Sequence, residues 1–251
     1  MIELKSKREI QLMQEGGKIL KKVFSAVRPM IVEGITTEMI DAVAEKVIRE
    51  HGGDPAFKGY RGFPKTACIS LNEAVVHGIP DSRQLKDGDV LSFDVGVKLN
   101  GFCADAARTW LVGAVDPKKQ ALIDTAKHSL ETALAAYQTG WRIGDLSATI
   151  QQYIEDRGFQ VVRDYAGHGI GRQLHEDPQV PNYGKAGRGA KIEPGLVLAI
   201  EPMVTEGHYA VEMLEDGWTV RTKDGKNASH YEDTIAFTES GFINLTSDGV
   251  L

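Results

Sequence analysis

Four acids and a histidine carry the chemistry this chain is equipped for: Asp94, Asp105, Glu201, Glu232 and His168. Asp94 and Asp105 flank Asn100-Gly101, the dipeptide of a tight two-residue hairpin turn. Such a turn sets Asp94 opposite Ala107 and Asp105 opposite Gly96. Side chains alternate along a strand, so both carboxylates project from one sheet face as diagonal neighbours. A four-residue turn would keep them together, and a three-residue turn would separate them. Their neighbours Phe93, Val95, Phe102 and Ala104 are apolar. At about 4 Å and an effective dielectric near 20, two carboxylates repel by roughly 4 kcal/mol. They need a proton, a cationic side chain or a metal.

Glu201 ends the apolar run Leu196-Val197-Leu198-Ala199-Ile200 and is followed by Pro202. A buried strand rarely tolerates an unpaired carboxylate. Glu232 stands in His230-Tyr231-Glu232-Asp233-Thr234, just before another apolar run, where an acid alone would read as solvated. His168 lies in Gly167-His168-Gly169-Ile170-Gly171-Arg172, read as a loop whose glycines permit close backbone approach. His77, His175 and His230 accompany the acids. Four negative charges match two divalent ions, and oxygen-rich ligation with one imidazole suits manganese, iron or cobalt, and also zinc. Two such ions could share a hydroxide and polarise a carbonyl.

Other chemistries fail. Arg172 stands where a dinucleotide fingerprint needs its third glycine, and His175-Glu176 is broken as a zinc-binding helix by Pro178. No serine has a nucleophile elbow, and no phosphate loop or Cys-x-x-Cys pair is present.

Helices and strands must position these groups. Ser6 caps a helix to about Arg28, and Thr36 or Thr37 opens a second, stopped by Gly52-Gly53. Asp116-Pro117 opens a third, to about Tyr137, and Leu146, Ile150, Tyr153 and Ile154 mark a fourth, ended by Gly158. Strands are expected at Val90 to Val97, Phe102 to Val112, Leu196 to Ile200 and Thr234 to Thr238. The pattern repeats: His77-Gly78-Ile79 returns as His168-Gly169-Ile170, and the strand ending in Asp94 returns as the strand ending in Glu201. One domain, 1–251, of two similar halves (about 1–113 and 114–251) is expected.

Composition bounds the rest. The chain has 251 residues, 42% hydrophobic, with 29 Lys+Arg against 35 Asp+Glu and a formal charge of −6. That charge disfavours DNA or RNA as a partner. No run long enough to span a membrane and no apolar leader is present, and Cys68 and Cys103 read as free thiols of a reducing cytoplasm.

These residues, in this order, resemble the type I methionine aminopeptidases of the pita-bread metallopeptidase fold, over essentially the whole chain. The resemblance rests on Cys68-Ile69-Ser70-Leu71-Asn72-Glu73 leading to His77-Gly78-Ile79-Pro80, the Asp94 and Asp105 pair, Gly167 to Arg172 with His175-Glu176, Ile200-Glu201-Pro202-Met203 and Tyr231-Glu232-Asp233-Thr234. It implies an α/β (α+β) fold: two pseudo-symmetric halves, with antiparallel sheet covered by helices. It implies two divalent ions held by Asp94, Asp105, His168, Glu201 and Glu232, with Asp105 and Glu232 bridging, and Glu201 also acting as general base. His77 and His175 would bind the scissile amide and stabilise the tetrahedral intermediate. Phe57, Tyr60, Phe63, Cys68, Leu174 and Trp218 would form the methionine pocket. The substrate would be the N-terminus of a nascent polypeptide whose second residue is small. A monomer is expected, with ribosome association through a small basic loop of Arg221, Lys223 and Lys226. The short stretch from Glu201 to Glu232 leaves no room for the helical insertion of type II enzymes. The family often has Cys at Phe57, Phe at Leu174, Gln at His230 and His at Asp233; these departures bear on pocket strictness and metal preference.

Overall fold

The structure is a computed structural model that describes residues 1–247. The last four residues of the expected domain lie outside the described residues.

Four helices form, three of them where the caps predict. Ser6 starts α1 (Lys7–Val27) with a capping box: its hydroxyl accepts the Glu9 N–H at 3.3 Å, and the Glu9 carboxylate accepts the Ser6 N–H at 2.9 Å. Thr36 caps α2 (Thr37–Glu50) through the Met39 N–H. Asp116 caps α3 (Pro117–Ala136) by accepting the Lys118 N–H at 2.8 Å, with proline in the first turn. The fourth, α4 (Ile143–Glu155), starts before its apolar stripe and has no Ser or Thr cap. There the Asp145 carboxylate accepts the Arg142 N–H at 2.7 Å.

The Asn100-Gly101 turn has positive φ at both residues, 52° and 84°. It joins strands Val90–Leu99 and Phe102–Leu111 with Asp94 opposite Ala107 and Asp105 opposite Gly96, the expected register. Strands Ala67–Leu71 and Asp54–Pro55 complete this first antiparallel sheet around Val90–Leu99. A second antiparallel sheet runs Gly241–Asn244, Asp233–Thr238, Val197–Ile200, Ala166–Gly169, Glu176–Pro181. Two small three-stranded sheets flank these.

Each main sheet is covered by one helix pair. Leu20, Val23, Ile40 and Ile48 of α1 and α2 share a core with Ile69, Leu91 and Phe93. Leu122, Leu130, Leu146 and Ile150 of α3 and α4 share another with Leu198, Ile235 and Phe237. The main sheets meet edge to edge. Ala107 and Glu232 exchange backbone hydrogen bonds at 3.2 and 3.0 Å. The Thr234 hydroxyl accepts the Asp105 N–H at 3.0 Å and donates to its carbonyl at 2.7 Å.

One local expectation is corrected. His168 lies in strand Ala166–Gly169 and not in a loop. The flanking glycines admit close neighbours, not flexibility. A Cβ on Gly167 would stand 2.4 Å from the Ala199 carbonyl oxygen, and one on Gly169 would stand 2.1 Å from that of Asp177.

Candidate metal centre

The edge-to-edge meeting of the sheets brings the five predicted donors together. Asp94 and Asp105 come from the hairpin of the first sheet, His168 from strand Ala166–Gly169 of the second, Glu201 from just past Ile200, and Glu232 from the residue before Asp233. One donor atom each from Asp105, His168 and Glu232 lie within 4.8 Å of one another. The His168 Nε2 is 3.7 Å from Glu201 Oε1. On the other side of that carboxylate, His230 Nε2 is 3.5 Å from Glu201 Oε2.

Asp94, Asp105, His168 and His230 are buried, Glu201 is partly exposed, and Glu232, the acid that sequence alone would leave in solvent, is only 2% exposed. Asp94 Oδ1, Asp105 Oδ1, Glu232 Oε1 and His230 Nε2 are buried without a hydrogen-bond partner. Asp41 shows the ordinary alternative, since its buried Oδ1 accepts the N–H groups of Thr66 and Ala67 at 2.9 and 2.8 Å. Burial raises all four acids, and neighbouring carboxylates add to it at Asp94, Asp105 and Glu232. Asp105 is pushed up to about 8 and Glu201 to about 7, and Asp94 and Glu232 stand well above the usual carboxylate range. Orphaned oxygens that repel one another fit divalent cations. The His168 tautomer agrees: Nδ1 is 2.9 Å from the Gly169 carbonyl, to which it can only donate, so Nε2 presents its lone pair to the acids.

A cavity of about 140 Å³ opens over the donors. Its apolar wall is Phe57, Tyr60, Phe63, Cys68, Leu174 and Trp218, all six of the expected pocket residues. Phe63 meets Trp218 edge to face at 5.1 Å. Phe57 lies against Gly96, where a Cβ would approach its ring to 2.7 Å. His77 and His175 line the same space. Burial pushes His77 down to about 4, and His175 lies below the usual imidazole range through burial and the nearby His168 and Arg61. His175 Nδ1 is 2.9 Å from the Tyr60 hydroxyl, and the rings stack.

Sequence reasoning missed two residues. Arg61 also lines the cavity, and no local pattern marks it. Arg108 had a signal of the kind that exposed Glu201, a charge inside an apolar strand. Its buried guanidinium donates to Asp233 Oδ1 at 2.8 Å and to the Glu232 carbonyl at 2.7 Å. The departure at Asp233 is thus part of an ion pair beneath the donors. The expected basic loop is corrected at one residue: Lys223 and Lys226 follow strand Val220–Thr222 in a loop, but Arg221 lies in that strand and is paired with Glu212 at 2.9 Å. The strand pairing with Val211–Met213 puts those two side chains across from each other.

The sequence profile of metallopeptidase family M24 matches residues 11–239. The chain belongs to this family.

Within it the chain groups with the methionine aminopeptidases. It is 50% identical over 246 residues to the methionine aminopeptidase of Clostridium perfringens, covering 98% of this chain and 99% of that protein. It is 47% identical to methionine aminopeptidase 1 of Bacillus subtilis over the same shares. The crystal structure of methionine aminopeptidase from Thermotoga maritima superposes with a TM-score of 0.96 at 44% identity, covering 98% of this chain and all of that one. The prolidase of Pyrococcus furiosus shares the fold, with a TM-score of 0.80 at 23% identity, over 98% of this chain and 66% of that one. The fold is therefore the pita-bread fold expected from the sequence, and the chain is a metallopeptidase, a hydrolase. Among the described residues no helix is long and apolar enough to cross a membrane.

Proposed function

We propose that this chain removes the N-terminal methionine of nascent polypeptides whose second residue is small, using two divalent ions. The carrying observation is the set of orphaned buried carboxylate oxygens at the floor of an aromatic, sulfur-containing cavity. Asp94, Asp105, His168, Glu201 and Glu232 would hold the ions. Cobalt, manganese, iron or zinc suits this donor set, and when bound it would polarise the scissile carbonyl and make water more acidic.

The chain's own residues do the rest. The methionine side chain fills the apolar wall from Phe57 to Trp218, where thiol, aromatic rings and Leu174 match its polarisable thioether. Glu201 takes the proton of the attacking water. Its raised pKa places it near neutrality before metal binds. His77 and His175 are neutral at pH 7, so each offers one N–H. With the Tyr60 hydroxyl donating to His175 Nδ1, the proton sits on Nε2 and is available to the amide or to the tetrahedral intermediate.

The whole chain is proposed to act as one domain of two similar halves, a monomer in the cytoplasm, working on chains as they leave the ribosome. The test is a mass-spectrometric cleavage panel on metal-free protein given one metal at a time. Cleavage of Met-Ala peptides faster than Xaa-Pro peptides is expected. Faster Xaa-Pro cleavage would replace this reading with that of a proline-directed exopeptidase. No cleavage with any metal would leave a binding module on the same fold.

A further inference from the structure

The cavity meets a second, open groove on one side, and Arg61, His168 and His175 line both. The groove continues past Gly167, Gln173 and Asp177. A polypeptide with its first side chain in the cavity and its first amide at the carboxylates would leave through this groove.

Most charges along the groove are already engaged. Arg172 pairs with Glu9 at 2.9 Å. Lys5 holds Glu176, and Asp177 accepts from the Met1 amino group at 2.6 Å. Arg61 differs. Among the described residues its guanidinium has no ion pair and no hydrogen-bond acceptor, and it rests 5.4 Å from the centre of the Tyr60 ring. Its backbone is left-handed, φ 50°, in the short turn Tyr60–Gly62. That conformation is uncommon for a residue with a Cβ and turns its exposed side chain out beside Tyr60.

Extended chains alternate, so residues one and three of a bound polypeptide point to the same side, about 7 Å apart. Residue one points at the wall that contains Tyr60. Residue three then points at the neighbouring position of the same turn, Arg61. We infer that Arg61 is a specificity-determining residue whose guanidinium receives an acidic side chain at the third position of the polypeptide. This rests on the aminopeptidase reading above.

The test compares kcat/KM of the metal-loaded protein on Met-Ala-Glu-Gly, Met-Ala-Gln-Gly and Met-Ala-Lys-Gly. The wild type is expected to favour Glu over Lys by about two- to fivefold at low salt, the range of a partly exposed ion pair, and less at high salt. Arg61→Gln should level the three peptides, and Arg61→Glu should invert the order. Arg61 is exposed, so both variants should fold, checked by unchanged melting temperature. Cleavage of Met-Ala-Gln-Gly with no preference for Glu, a preference for Lys drawn by Glu3 of the groove, or a Glu preference that survives Arg61→Gln each overturns the inference while leaving the aminopeptidase reading intact. If none of the peptides is cleaved, both fall.

Discussion

The two halves start from the same pattern and put it to different use. In the first, Asp94 sits mid-strand, with Cys68 and Ala107 as cross-strand neighbours, and is 8% exposed. In the second, Glu201 stands one residue past its strand, before Pro202, with its carboxylate between His168 and His230. The histidines diverge as well. His77 follows strand Ala74–Val76 with a left-handed backbone (φ 61°), and its ring lies 5.7 Å from Tyr165 and 6.4 Å from Trp218. His168 is inside a strand, its Nδ1 fixed by the next carbonyl. A residue clamped by two neighbouring strands is suited to hold. One at a strand end, facing the cavity, is suited to move a proton. A repeated pattern can thus yield unequal roles, because position relative to the strand end decides what a carboxylate can reach.

The largest expected effect tests that contrast directly. Asp94→Ala should lose turnover beyond the ~10–100-fold that a ligand's outer partner costs, together with metal affinity measured by calorimetry. Glu201→Gln should lose comparable turnover while keeping more of that affinity. Equal loss of affinity in both would erase the distinction between holding and proton transfer.

His77→Ala and His175→Ala come next, each expected to lower kcat by about 10²–10³ with metal binding preserved. A fall in melting temperature matching the loss of activity would instead assign the imidazoles to packing.

Metal removal should destabilise by about 2.7 kcal/mol relative to metal at a hundredfold its dissociation constant, read as a drop in melting temperature. The metal-free protein should also respond to pH. Its buried acids have folded-state values raised above the unfolded ones, so that state binds more protons. Their contribution is fully present below about pH 4 and is lost as pH rises through about 7 to 8. Melting curves of chelated protein should therefore fall between pH 5 and 8, and a flat profile would mean the acids are not buried together.

The smallest effect concerns the first half alone. Gly101→Ala meets no neighbour within 4 Å, so its cost is the positive φ, about 1 kcal/mol by denaturant unfolding. A larger loss, with activity, would mean that the turn also controls the register of Asp94 and Asp105.

The hairpin was fully legible in the sequence. Asn-Gly selects one turn, that turn selects the register, and the register puts both aspartates on one face. Three of the four helix starts were legible for a similar reason, because caps act over three residues. The start of α4 was not, since Arg142 is no cap and the Asp145 carboxylate makes the capping bond instead. His168 was misread as a loop residue because glycines that allow close packing and glycines that allow turning look alike in one dimension. The pocket was reached through resemblance, since none of its aromatic residues differs locally from plain core. Arg61 left no trace, because an exposed arginine in a turn is ordinary until its neighbours are known.

What the sequence determined alone is therefore local: caps, the hairpin register, the donor types and their charge, and the repeat that pairs Asp94 with Glu201. What the tertiary structure decided is convergence. Glu232 becomes a buried partner of the hairpin acids only because its backbone pairs with Ala107, far away in the chain. His168 meets Glu201 only because neighbouring strands bring them within 3.7 Å. Caps and turns are set by interactions over a few residues, whereas the burial of a charge depends on which distant segments exclude water around it, and that is settled only when the two cores pack.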